Sequence, residues 1–200
     1  MNSKTKSFLQ TLKQDDLKND VPSVSETVGQ FLCDQVEALK ATSILELGTA
    51  HGYSTIWMAS ALEKYNGHLH TIDVSAPSFK IATENIKEAG FDQMVTQHFG
   101  NAKDIVPTID ATFDLIFIDA RKRDTHIFFE LCAPKLRPGG IILVDDVEKF
   151  KDKMQAFWDF IESQNEWVYQ TLPLDADDSV MVASKKEFKI QQYPNSSTTS

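Results

Sequence analysis

The sequence predicts a three-layer α/β domain built on a mostly parallel seven-stranded sheet with an antiparallel C-terminal hairpin. Three observations predict it. Apolar periodicity switches repeatedly between helical spacing and short strand runs. Strands that alternate with helices are parallel and joined by right-handed crossovers. The last two strand runs, 167–173 and 179–184, are separated only by the acidic turn 175–178, too short for a crossover, so they pair antiparallel.

In chain order, residues 1–20 (MNSKTKSFLQTLKQDDLKND) are charged and form an extension, expected as a lid helix or a dimer contact. Ser23 and Glu26 have capping-box spacing, and Val28, Phe31, Leu32 and Leu39 recur at helical intervals to about residue 40. SILELG (43–48) is a short buried strand that runs into a glycine-containing turn. Tyr53 to Leu62 is a helix with Ile56, Ala59 and Ser60 along one side. Asn66-Gly67 is a turn, and HLHTID (68–73) is the second strand. Pro77 suits a helix start, and Phe79, Ala82, Ile86 and Ala89 carry that helix to Gly90. MVTQHF (94–99) is the third strand, and FDLIFID (113–119) is the clearest strand of all. A helix at about 124–136 and the turn Arg137-Pro138-Gly139-Gly140 lead to the strand IILVD (141–145). Phe150, Met154, Phe157, Trp158 and Ile161 then share a helical register. WVYQTLP (167–173) and SVMVAS (179–184) close the sheet. No boundary splits residues 21–186, which are expected as one domain; the polar, Ser/Thr-rich residues 187–200 are expected as a disordered tail.

Composition narrows the function classes. A chain of 200 residues buries roughly 70% of its unfolded surface without disulfides or structural metal. Cys33 and Cys132 each lie in an apolar stretch and are expected as buried, reduced thiols. No apolar run approaches membrane-spanning length, and the charged start lacks the apolar core of a signal peptide, so a cytoplasmic protein is expected. The net charge of −9 argues against general polyanion binding, because non-specific nucleic-acid affinity is mostly phosphate neutralisation.

Ligands of such sheets bind outside the carboxyl ends of the strands. The first strand ends in Glu46-Leu47-Gly48-Thr49-Ala50-His51-Gly52-Tyr53-Ser54. Gly48 and Gly52 let the backbone turn tightly and approach a ligand. The spacing is G-x-x-x-G, not the G-x-G-x-x-G of dinucleotide sites, and Glu46 would repel a pyrophosphate. A cationic ligand matches better. Asp73 ends the second strand, where an acid can accept ribose hydroxyls or cap the next helix. A nucleoside cofactor with a cationic, non-phosphorylated tail is S-adenosylmethionine.

ILELGTAHGYSTIWMASAL, HTID, FDLIFIDARK and LRPGGIILVDD resemble the successive motifs of class I S-adenosylmethionine-dependent methyltransferases. More narrowly, they resemble the metal-dependent catechol and caffeoyl-CoA O-methyltransferases, over about residues 20–185. The resemblance implies a Rossmann-like fold with Glu46, Gly48, Gly52, Ser54, Asp73 and Asp119 lining the cofactor site. It matches Gly100-Asn101-Ala102 to the segment that holds the adenine. Val24 matches a cofactor contact, with core packing as its other reading.

Asp119 ends the fourth strand and Asp145-Asp146 the fifth, and adjacent strands lie about 4.8 Å apart. Three converging carboxylates repel one another unless a hard divalent cation, magnesium, manganese or calcium, joins them. The alternative is that Asp145 and Asp146 cap the following helix. The resembled family uses two aspartates and an asparagine here, and Asp146 stands in the asparagine's place. Its D-A-D-K motif is Asp119-Ala120-Arg121-Lys122 in this chain, and Thr125 and Phe128 stand where it has tyrosines. Its tryptophan-glycine loop is absent, so residues 147–151 are expected to run directly into a helix. Lys122 matches the family's lysine and would act as general base if burial or metal lowers its pKa; His126 is a weaker candidate.

The implied activity is metal-assisted O-methylation of a small catechol-like or otherwise hydroxylated molecule. A hydroxylated tRNA nucleoside is a competing acceptor, disfavoured by net charge but supported by Arg121, Lys122, Arg123, Lys149, Lys151 and Lys153, with Lys149 and Lys153 on one helix face. A metal-independent methyltransferase, a cofactor-binding module without activity and a nicotinamide-dependent oxidoreductase are further alternatives. A homodimer is compatible with the sequence, and no membrane partner is expected.

Overall fold

In the computed structural model, which describes residues 1–176 and 178–186, seven strands form one sheet. They are β1 (Ser43–Leu47), β2 (His68–Asp73), β3 (Val95–Phe99), β4 (Phe113–Ile118), β5 (Leu136–Val144), β6 (Trp167–Leu172) and β7 (Val180–Lys185). Their order across the sheet is β3-β2-β1-β4-β5-β7-β6. The first five are parallel, while β7 runs antiparallel to both β5 and β6. The hairpin therefore joins the sheet through its second strand. The expected tail, 187–200, lies outside the described residues.

Among the described residues seven α-helices flank the sheet: α1 (Ser3–Lys18), α2 (Glu26–Leu39), α3 (Tyr53–Leu62), α4 (Ala76–Ala89), α5 (Ala102–Ile105), α6 (Thr125–Cys132) and α7 (Gln155–Ser163). Strand side chains alternate between faces, which sorts them into two cores. Ile44, Leu69, Leu115 and Phe117 pack with α1–α4. Leu45, Leu47, Ile116 and Ile118 pack with α5–α7. Cys33 and Cys132 are free and buried, and burial pushes their thiols up to about 11 and about 12.

Several local expectations change once tertiary contacts are present. The cap of α2 is Ser25, whose Oγ accepts from Val28 N at 3.0 Å. Ser23 is instead held by Lys13 of α1, whose Nζ donates to Ser23 O at 2.7 Å and Val24 O at 2.8 Å. All ten residues of α3 are buried, not one side only, because α1 and α2 cover the face turned away from the sheet. α6 stops at Cys132, since Pro134 opens a separate 3-10 turn, Ala133–Lys135. Arg137–Gly140 is no turn between elements. It lies inside β5, where the register with β4 shifts and Arg137 Nη1 bonds both oxygens of Asp114 at 3.0 and 3.1 Å. Residues 147–151 do not enter a helix directly: Asp146 takes φ +60°, and a 3-10 turn, Lys151–Met154, precedes α7. The short α5 has too few residues to show a period, and only its cap, Asn101, has a local signature.

Gly29 sets how closely α2 approaches α3. A Cβ there would lie 2.5 Å from Trp57 Nε1. At an exposed helix position Gly→Ala stabilises by about 1 kcal/mol. Here Gly29→Ala is expected to destabilise by about 1–3 kcal/mol through overpacking, and urea denaturation reads the sign directly.

Candidate active site

The carboxyl ends of β1, β2, β4 and β5 lie side by side, and the loops leaving them build the site. Gly48 sits at φ +103°, and a Cβ on it would fall 1.9 Å from the backbone oxygen of Asp119. Only glycine allows β1 and β4 to leave the sheet this close together. Gly52, at φ +89°, starts α3. Between them Ala50 N donates to Asp73 Oδ2 at 2.8 Å, while Ser75 N donates to Asp73 Oδ1 at 2.7 Å. Asp73 thus ties the glycine turn to the end of β2. Each of its oxygens keeps lone-pair capacity for a ligand hydroxyl.

Glu46 does not face the open ligand space as expected. It is fully buried beneath the turn, where Ser54 Oγ donates to Oε1 at 2.6 Å and Thr55 and Thr71 hydroxyls donate to Oε2. Burial pushes its carboxyl up to about 7, against three hydroxyl donors that act the other way. The Ser54 hydroxyl is committed to the same network. Val24 is buried in the core among α1–α3. At the end of β3, Gly100 N donates to Asp73 O at 2.9 Å, Asn101 caps α5 and stays exposed, and Ala102 is buried. The Gly100–Ala102 segment therefore borders Asp73.

The second cluster forms where β4 and β5 end. Asp119, Asp145 and Asp146 bring ligand oxygens within 4.8 Å of one another. Asp145 is buried, and burial, then the Asp119 charge, drives its carboxyl well above the usual range. Lys122 reaches into the group, with Nζ 2.6 Å from Asp119 Oδ1 and 2.8 Å from Asp146 Oδ2. Burial alone would lower its pKa, but Asp119 and Asp146 outweigh burial and raise it. Lys122 is accordingly an ammonium here and not a ready base. His126 is further removed from that role, since its Nδ1 is buried without a hydrogen-bond partner. Asp145 and Asp146 do not cap a helix: α7 begins at Gln155.

A family model described as a methyltransferase domain matches residues 45–147, which include both clusters. Over 129 residues the chain is 42% identical to a catechol O-methyltransferase of Niastella koreensis, a match covering 62% of this chain and 58% of that protein. The chain thus spans little more than half the length of that curated relative. The solved O-methyltransferase from Bacillus cereus in complex with SAH superposes with a TM-score of 0.80 at 30% identity, covering 90% of this chain and 91% of the other. The Streptomyces achromogenes O-methyltransferase TomG, in complex with SAM, gives 0.81 at 29% identity over 89% of each chain. The chain belongs to the class I S-adenosylmethionine-dependent O-methyltransferases.

Two parts of this candidate site had no recognised signal in the sequence. Asp178, in the turn between β6 and β7, hydrogen-bonds Asp146, and burial, then Asp146, pushes its carboxyl up to about 6. Its Oδ1 accepts from Ser179 N at 2.7 Å and Lys149 N at 3.3 Å, which fixes the loop after β5. The second part is Asp16 of α1. It is buried, and its Oδ1 lies 2.7 Å from His51 Nδ1 in the glycine turn. The residues expected as a basic rim are mostly engaged elsewhere. Lys122 lies among the aspartates, Lys151 pairs with Glu148 at 3.4 Å, and Lys149 and Lys153 lie over the Phe150 ring rather than on one helix face.

Glu46 gives a pH signature. Its folded pKa, about 7, lies above the ordinary 4.5, so the fold favours the protonated acid. The stability it contributes is complete below its unfolded pKa and declines as pH rises through about 7, by about 3 kcal/mol in all. Glu46→Gln is expected to flatten the stability profile across this window, as read by urea midpoints at successive pH values.

Proposed function

We propose that this protein transfers the sulfonium methyl of S-adenosylmethionine to a hydroxyl of a small, catechol-like or otherwise hydroxylated molecule, assisted by a divalent cation. One observation carries the reading. The glycine turn suited to the methyl donor touches the acid cluster suited to the acceptor: Gly48 abuts the backbone of Asp119, itself a cluster member. Donor and acceptor sites that share a wall can hold their reacting atoms in line, which is a large part of the barrier reduction in such transfers. The name of the Niastella koreensis relative, a catechol O-methyltransferase, supports the acceptor class.

Each residue has a stated part. Asp73, with the amides of the turn fixed on it, accepts the ribose hydroxyls, and the Gly100–Ala102 segment borders the adenine. Glu46 and its three hydroxyl donors keep the turn rigid from below. Asp119, Asp145 and Asp146 fit a hard cation, being all-oxygen, convergent and charged beyond what Lys122 alone balances. When bound, such a cation makes a coordinated hydroxyl more acidic and fixes its direction. In the transfer the acceptor hydroxyl loses its proton to solvent, and its oxygen forms a bond to the methyl carbon as the carbon–sulfur bond breaks and its electron pair stays on sulfur. Lys122, as an ammonium, balances the acids and donates toward the acceptor oxygen.

The test combines binding with turnover. Calorimetry is expected to detect S-adenosylhomocysteine binding, weakened about tenfold or more in Asp73→Ala, the loss of at least one strong hydrogen bond. With labelled methyl donor and catechol, a chelator or Asp145→Ala is expected to lower turnover about a hundredfold or more. Absence of cofactor binding overturns the methyltransferase reading. Turnover that survives chelation overturns the metal assignment alone.

A further inference from the structure

The buried residues of α1 are Thr5, Leu9, Leu12 and Asp16, a narrow stripe in helical register. Its last member is an acid, only 1% exposed. A buried acid is costly unless it is paired, and an apolar residue would seal the stripe better. Oδ1 of Asp16 accepts from His51 Nδ1 at 2.7 Å, while Oδ2 is buried with no hydrogen-bond partner. A carboxylate only accepts, so His51 Nδ1 carries the proton. Packing of α1 does not call for an acid at this position; the bond to His51 does.

His51 belongs to the glycine turn, and the shape of that turn is strained. Gly48 and Gly52 take φ +103° and +89°, and Ala50 takes φ +44°, a left-handed conformation that a β-carbon disfavours. Such backbone persists when its surroundings fix it. From β2, Ile72 O accepts from Gly48 N at 2.9 Å and Asp73 Oδ2 accepts from Ala50 N at 2.8 Å. From α4, Asn85 Nδ2 donates to His51 O at 2.9 Å. His51 is thus gripped by α4 through its carbonyl and by α1 through its ring. The residue before it, Ala50, carries the amide that rests on Asp73, the acid suited to ribose hydroxyls. Lys13, one turn before Asp16 on α1, lies over the Tyr53 ring at 5.4 Å. The two α1 side chains therefore meet the turn on either side of Gly52.

We infer that Asp16 and His51 are positioning residues for the methyl donor. Through them α1 holds the glycine turn in the conformation that binds S-adenosylmethionine, and the bound donor holds α1 in return, since such coupling is reciprocal. Both residues act through the backbone of the turn and not on the reacting atoms. The inference rests on the methyl-donor part of the proposed function and is independent of the cation and the acceptor.

Calorimetry with S-adenosylhomocysteine on the full chain reads the link. Asp16→Leu completes the apolar stripe, so its urea midpoint is expected to hold or rise while affinity falls about fivefold or more. Asp16→Asn keeps an oxygen that accepts from His51 and is expected to stay within about twofold of the unaltered chain. His51→Ala added to Asp16→Leu is expected to cost no further affinity, because the one bond is already gone. In the unaltered chain, saturating S-adenosylhomocysteine is expected to slow amide exchange across Ser3–Lys18 about fivefold or more, and Asp16→Leu is expected to lose that slowing. Equal affinity in all variants, a loss in Asp16→Leu that merely follows a lower urea midpoint, or α1 exchange indifferent to the ligand overturns the inference alone. No binding by the unaltered chain overturns the methyl-donor reading and the inference with it.

Discussion

Five carboxylates meet at the carboxyl edge of the sheet, and an unpaired buried charge costs several kcal/mol. Their compensation shapes the surrounding loops. Glu46 is answered by three hydroxyls, two of them from the first turn of α3. Asp73 is answered by two backbone amides, which fixes both the glycine turn and the start of the next helix. Asp119 and Asp146 share Lys122. Asp145 is left with repulsion from Asp119 and burial, and its raised pKa records that deficit. The single lysine does not balance this acid set.

The same edge depends on backbone approach. Gly48 lets β1 and β4 diverge only after their ends touch, and that contact joins the two halves of the site. α1 is fastened to this region from outside. Lys13 grips the carbonyls of Ser23 and Val24, and Asp16 meets His51 inside the turn. The second oxygen of Asp16 is buried with no hydrogen-bond partner, so the pairing to His51 carries the compensation for that acid. The N-terminal helix is thereby coupled to the glycine turn by a hydrogen bond as well as by the packing of Leu9 and Leu12.

Much of this was legible in the linear chain because the signals are local. Short strand runs between helical periods placed six of the seven strands within a residue or two, β5 beginning five residues before its expected run, and Tyr53–Leu62 is the helix its periodicity implies. Acids at strand ends were legible as a cluster, since parallel strands must align those ends. Misreadings arose where a distant partner decided the outcome. Ser23 looks like a cap but is taken by Lys13, and Pro-Gly-Gly looks like a turn but lies in a strand clamped by Arg137 and Asp114. Asp178 looked like a turn residue, and only the antiparallel insertion of β7 beside β5 brings it to Asp146.

The sequence by itself determined the layered α/β architecture, the glycine turn and the alignment of Asp73, Asp119, Asp145 and Asp146, because periodicity and strand ends are properties of neighbouring residues. Tertiary structure alone decided how each of those acids is compensated. It turned Glu46 inward, made Lys122 an ammonium, and joined Asp16 to His51 and Asp178 to Asp146. Protonation depends on burial and on charges brought from elsewhere in the chain, and neither is written in the spacing of residues.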